Sequence, residues 1–229
     1  MQNFLSKLAI VRNFTSRCLH YRRGLNFGGT SQMVQKKIVF VLGPPGVGKG
    51  TQCRKIASRY DFEHISAGEL LRQERQILNS QHGELIDSCI RDGKIVPAEI
   101  TCKLLERQMD NSTKSKFLID GFPRNQDNRD GWNKTLDDRV QLLFVLFIDC
   151  PVDICIERCI NRGAAAGSGR FDDTIEVLEK RITTHIKETQ PTIDYYEQLG
   201  LVKFVDGNQP EDAVFEDIKN IFEDYNLTT

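Results

Sequence analysis

Residues 43–50 read GPPGVGKG and hold four glycines, two prolines and one lysine, with a hydroxyl following at Thr51. Gly43, Gly48 and Lys49 keep the G-x-x-x-x-G-K spacing in which successive main-chain N–H groups turn inward and enclose phosphate oxygens. Glycine lets the backbone approach an anion that closely. Lys49 would bring a mobile positive charge toward the outer phosphates. A helix starting there would add its unpaired N–H groups and positive dipole end. The ligand expected from this chemistry is a nucleoside triphosphate, held along Gly46, Val47, Gly48, Lys49, Gly50 and Thr51. An ordinary glycine-rich turn would need neither the lysine nor the hydroxyl at these places.

Such a loop needs a strand before it and a helix after it. The apolar run Ile38–Leu42 supplies the first, and the pattern from Gly50 to about Tyr60, with Cys53, Ile56 and Ala57 on one face, supplies the second. A short extended piece around His64 leads to a helix for which Ser66 is a candidate cap. Helices are expected over 83–91 and 97–110, the latter opened by Pro97. Phe117–Ile119 and Leu142–Ile148 are apolar without alternation, the pattern of parallel strands covered on both faces, and each ends at an acid, Asp120 and Asp149. Helix is expected over 152–161, a long charged helix over 174–188, a last strand over 201–205 and a last amphipathic helix over 211–225. Strands alternating with helices define an α/β fold with ligands at the carboxyl ends of the strands. No internal repeat is visible.

Composition narrows the function classes. A chain of 229 residues, 39% hydrophobic and 28% charged, supports one main core. A net charge of -1 argues against a dedicated nucleic-acid binder, and no apolar run approaches the roughly 20 residues of a membrane helix. The seven cysteines are odd in number and form no C-x-x-C pair, which fits small core hydrophobes in a reducing compartment. Charge is uneven: residues 1–37 carry seven Lys or Arg, and the first carboxylate is Asp61. This basic, acid-free segment, 1–36, with Phe4, Leu5, Leu8 and Val11 on one face, has the character of a mitochondrial presequence or of a disordered basic tail. A chain starting at Met33 would lack it. The full-length chain is then expected in the mitochondrial matrix, and the shorter form in the cytoplasm and nucleus.

The ordered blocks GPPGVGKGTQC, HISAGELLR, GKIVPAEIT, FLIDGFPRNQDN and CIERCINRG, with the 170–181 region, resemble the adenylate kinase family of nucleoside monophosphate kinases over residues 37–225. The hydroxyl one place late, at Thr51, is similar to this family rather than to GTPases or motor ATPases. The resemblance implies a three-layer P-loop NTPase fold, α/β with a parallel sheet. A helical NMP-binding insertion would span 66–96 and a short lid 162–173, leaving 226–229 as a tail. It implies transfer of the γ-phosphoryl of ATP, with Mg2+, to a nucleoside monophosphate. By their match to family positions, Arg72 and Arg124 would hold the acceptor phosphate, while Arg162 and Arg170 would border the lid. Arg181 would reach the transferring group, so that Lys49, Arg124, Arg162, Arg170 and Arg181 carry the chemistry. The lid is longer than the usual short form and lacks a basic residue after its first glycine, which bears most on Arg170. Planar guanidinium forks suit two polyanions brought in line.

Asp120 and Thr51 are the candidates near the metal, acting through water; Asp120 capping the turn into Gly121 is the structural alternative. Ser66, Lys94, Ile95, Val96, Gly121, Phe122 and Pro123 would complete the acceptor site, and Gln209, beside Gly207 and Asn208, the adenine site. Ala67 and Asn128 stand where the resemblance implies pyrimidine acceptors, UMP, CMP and dCMP, in pyrimidine nucleotide biosynthesis. The alternatives are an AMP acceptor or a non-catalytic nucleotide-binding module. His64, His82 and His185 are expected as surface or packing residues, because this chemistry needs no imidazole base. Trp132 is expected to pack the helix after GFPR. A monomer is expected, with no nucleic-acid or membrane partner.

Overall fold

A computed structural model describes residues 35–164 and 173–227. Five parallel strands form one sheet: β1 (Lys36–Leu42), β2 (Glu63–Ser66), β3 (Lys116–Asp120), β4 (Val140–Asp149) and β5 (Val202–Asp206), in the order β2-β3-β1-β4-β5. The central strand β1 is buried from Ile38 to Leu42 because helices cover both of its faces. Alternation then sorts its side chains. Ile38, Phe40 and Leu42 enter one core with Phe122, Trp132 and Tyr196, while Val39 and Val41 enter the other with Ile56 and Phe222. Phe40 meets the Trp132 ring at 5.1 Å between centroids, which gives Trp132 the packing role expected of it.

The helices are α1 (Lys49–Tyr60), α2 (Ala67–Gln76), α3 (Gly83–Arg91), α4 (Ala98–Asn111), α5 (Gln126–Leu136), α6 (Val152–Ala164), α7 (Ile175–Thr184), α8 (Gln190–Gln198) and α9 (Glu211–Asp224). Ser66 caps α2, its Oγ accepting from Glu69 N at 3.4 Å. Pro97 stands just before α4 rather than inside it, and the first N–H of α4, on Ala98, donates to Asp127 Oδ2 at 3.1 Å. That bond ties α4 to the first turn of α5. A small separate cluster of Ile86, Cys89, Val96, Ile100 and Leu104 holds α3 against α4.

One helix differs from expectation. The long helix placed over 174–188 is α7, followed by a π-helical turn, His185–Thr189, and then α8, which the charge pattern concealed. Pro191 has no N–H to continue an α-helical ladder through this stretch, and the wider turn accommodates the break. The six cysteines among the described residues are free and buried. Among those residues no helix is long and apolar enough to cross a membrane. The basic segment 1–34, with Met33, lies outside the described residues, as do lid residues 165–172 and residues 228–229 of the tail.

Candidate active site

The carboxyl ends of β1 and β3 lie level, with Val41 beside Asp120, and the phosphate-loop sequence leaves the sheet there. Two of its glycines, Gly43 and Gly46, are forced by space as well as by dihedral. At Gly43, with φ +147°, an added Cβ would lie 2.1 Å from the Ile148 carbonyl oxygen; at Gly46, with φ +91°, it would lie 2.2 Å from that of Cys155. No side chain caps α1 at Gly48, which leaves its first N–H groups for an anion. Lys49 Nζ donates to the Gly43 and Pro44 carbonyls at 2.9 and 2.8 Å. Burial lowers its pKa to about 8; Asp120 opposes the shift, and Arg124 and Arg181 add to it. A lysine so desolvated gains most from an incoming polyanion.

Around this floor the chain opens several clefts that share lining residues. The central one, about 750 Å³, is lined by Lys49, Gly50, Thr51, Ser66, Arg72, Asp120, Gly121, Arg124, Arg162 and Arg181. Segments more than a hundred residues apart thus bring four of the five sequence-predicted arginines to the wall that holds Lys49. The fifth, Arg170, lies outside the described residues. A second cleft, about 750 Å³, has Gly46, Val47, Gly48, Thr51, Arg158, Arg162, Gly207 and Gln209 on its wall. The third, about 610 Å³, is bounded by Ala67, Arg72, Lys94, Ile95, Val96, Phe122, Arg124, Asn128 and Arg181. Lys94 turns its ammonium to Asp92 at 2.9 Å. Pro123, joined to Phe122 by a cis peptide, completes the turn between Phe122 and Arg124.

The arginines are held by the protein's own oxygens. Arg162 forms a fork on Asp173, Nε to Oδ2 at 2.7 Å and Nη2 to Oδ1 at 2.9 Å, and Arg181 reaches the same Oδ1 at 3.1 Å. The Asp173 side chain is fully enclosed. Arg72 Nη2 donates to Glu69 Oε2 at 2.9 Å, and Arg124 Nε to the Gly121 carbonyl at 2.8 Å. Gln209 Nε2 donates to Asp206 O at 3.2 Å and Asp217 Oδ2 at 2.8 Å.

Asn128 is 2% exposed. Its Oδ1 accepts the Arg124 N–H at 3.2 Å, which fixes the amide's orientation, and its Nδ2 is buried with no protein partner. A buried donor left open at a cleft wall is costly unless a ligand atom accepts from it.

Asp120 lies beside the Lys49 floor and accepts no bond from Gly121, whose N–H goes to the Val41 carbonyl at 3.0 Å. The carboxylate instead meets His64 Nε2 at 3.4 Å. Burial alone would raise its pKa; the His64 contact, Lys49 and Arg124 outweigh that and hold it below the usual range. An ionised carboxylate and the Thr51 hydroxyl on one cleft wall are hard oxygen donors, the set a divalent cation such as Mg2+ takes.

Sequence reasoning missed several wall residues. His185, expected at the surface or in packing, lines a cavity of about 480 Å³ with Lys49, Arg124, Arg181 and Thr189. Burial, with Lys49 and Arg124 adding to it, lowers its pKa to about 4, so it is neutral there. The π turn carries it inward, and no periodicity in the sequence marks that turn. Arg158 lies one helical turn before Arg162 and donates to the Gly207 carbonyl at 3.0 Å; the four-residue spacing was the available signal. Asp173, the common anchor of two arginines, carried none.

The sequence profile described as adenylate kinase matches residues 41–201. The chain is similar to the UMP-CMP kinases of Sus scrofa, 56% identical over 195 residues, 83% of this chain and 98% of that protein, and of Homo sapiens, 56% identical over 191 residues, 81% and 96%. The UMP-CMP kinase of Danio rerio is 50% identical over 195 residues, 83% and 98%.

Proposed function

We propose that this chain, which belongs to the adenylate kinase family and is an ATP-dependent nucleoside monophosphate kinase, takes UMP and CMP, with dCMP, as acceptors. The observation that carries the acceptor reading is the open Nδ2–H of Asn128 at the wall of the third cleft. It would donate to O4 of uracil or N3 of cytosine, an acceptor at the same edge of both rings. The UMP-CMP kinase names of the relatives support the same reading.

In this account ATP occupies the cleft along Gly46–Thr51, its adenine toward Gly207 and Gln209 and its phosphates on the loop's N–H groups. Gly50, Thr51 and Arg162 complete the donor side. Arg72 and Arg124 hold the acceptor phosphate, with Ser66, Gly121, Phe122, Pro123 and the 94–96 main chain shaping its pocket. Lys49 follows the outer phosphates, while Arg162 and Arg181, leaving part of their hold on Asp173, neutralise the moving phosphoryl group. Arg170 would join them from the lid. The acceptor's phosphate oxygen attacks the γ-phosphorus in line, the bond to the β–γ bridging oxygen breaks, and ADP departs with that electron pair. Positioning and charge neutralisation supply the rate; no protein nucleophile is required. Enzymes of this family use ATP with a divalent metal. We take the ion to be Mg2+, which would screen the ATP phosphates, with Asp120 and Thr51 orienting its water shell. The protein is taken to act as a monomer.

Initial rates of ADP formation with UMP, CMP, dCMP and AMP test the acceptor reading. A preference for the pyrimidines of at least about tenfold in kcat/KM is expected; an AMP preference would overturn it. Residues 1–36 are taken as a mitochondrial presequence, and a chain starting at Met33 as cytoplasmic and nuclear. A reporter fused to residues 1–36 that stayed diffuse would contradict the first assignment.

A further inference from the structure

Behind the central cleft three residues meet that phosphoryl transfer does not bring together. Cys53 projects from α1, His64 from β2, and Asp120 ends β3; one ligand atom from each lies within 4.8 Å of the other two. Among the described residues this is the one such grouping of His, Cys and acid. Its parts have different surroundings. Cys53 is fully buried, whereas His64 and Asp120 keep 19% and 11% of their side chains exposed, and Asp120 lines the cleft.

We propose that Cys53, His64 and Asp120 form a site for a thiophilic divalent cation of the Zn2+ type, and that its occupation halts phosphoryl transfer by engaging the Asp120 carboxylate at the cleft wall. The donor set is thiolate, imidazole and carboxylate, which favours zinc or cobalt over magnesium. In a tetrahedral zinc site nitrogen and oxygen ligands stand about 3.3 Å apart, and sulfur stands about 3.5 Å from either. His64 Nε2 and Asp120 Oδ2 are already at 3.4 Å, so closure needs only the Cys53 sulfur to draw in. The cation would enter from the cleft past Asp120. Binding forms S–M, N–M and O–M bonds and releases the thiol proton to solvent; the two negative ligands then balance the double charge. Three protein ligands leave a fourth position for water, the arrangement of an exchangeable site.

Binding is independent of which monophosphate is accepted, while the arrest of turnover rests on the kinase reading; the two are therefore measured separately. With Co2+ as probe, the full chain should develop a thiolate-to-cobalt charge-transfer band that Zn2+ abolishes. Cys53→Ala should lose the band, His64→Gln should weaken Co2+ binding at least about tenfold, and Cys159→Ala should retain it. His64→Gln also carries the test should Cys53→Ala fail to fold. A band that persists in Cys53→Ala or is unweakened in His64→Gln, or no band in the unsubstituted chain, overturns the site. In turnover assays Zn2+ should inhibit, and Cys53→Ala, with near-normal basal rate, should need at least about tenfold more Zn2+ for half-inhibition. Full activity with Zn2+ bound at the site would overturn the arrest while leaving the binding intact.

Discussion

In the proposed function the phosphate floor and the arginine rim would hold the same anions by different means. The floor is one continuous stretch, 43–51, working through main-chain N–H groups whose positions β1 and β4 dictate. The rim is gathered from α2, the loop after β3, α6 and α7, and it works through side chains held meanwhile by Glu69, Asp173 and the Gly121 carbonyl. A floor made of backbone is ready before the ligand arrives. A rim made of tethered side chains would exchange a protein oxygen for a phosphate oxygen, which would couple its final geometry to substrate.

The sharpest way to separate the two is to compare Lys49→Ala and Arg124→Ala with Gly43→Ala. Both charge removals should cut turnover on the order of 10³-fold or more while leaving the melting temperature close to that of the unsubstituted protein. Gly43→Ala should instead cost stability, because its Cβ meets the Ile148 carbonyl; urea unfolding should show a loss of roughly 2 kcal/mol or more. Near-normal turnover in Arg124→Ala would mean that the floor performs the chemistry without the rim, and in Lys49→Ala that the main-chain N–H groups of the floor suffice without its amine.

Next in size is Asp173→Asn, which weakens the anchor shared by Arg162 and Arg181 without touching the floor. Turnover should drop on the order of 10²-fold, since small misplacement of positioned groups has effects of that size. A faster enzyme would show instead that Asp173 restrains the arginines.

Much of this contrast was legible in the sequence, for physical reasons. A contiguous loop writes its glycines, lysine and hydroxyl side by side, and unbroken apolar strands announce a sheet covered on both faces. Ser66 as a cap, Trp132 as packing and buried cysteines followed from residue type. The rim was less legible, because Asp173 and His185 owe their places to packing and to a π turn. Resemblance pointed to the arginines; it did not point to what holds them.

Asn128 sharpens the contrast within the rim. Asn128→Ala removes the open donor together with the acceptor for the Arg124 N–H, so kcat/KM for UMP and CMP should fall roughly tenfold to a hundredfold with little change in the KM for ATP. An equal loss for ATP would place Asn128 in general packing. The smallest effect concerns pH. The Lys49 pKa is lowered to about 8, so the free enzyme carries the charged amine below that value and loses it above. The kcat/KM for ATP should therefore decline as pH rises through about 8, while kcat declines at higher pH, because bound phosphates favour the protonated amine.

The most direct test of a floor and rim converging on two nucleotides is the affinity of one molecule that spans both clefts, adenosine and uridine joined through five phosphates. Titration calorimetry should find it bound at least about 10²-fold more tightly than ATP, with that advantage reduced by both Lys49→Ala and Arg124→Ala. Affinity no better than that of ATP, or an advantage indifferent to Arg124, would contradict the account.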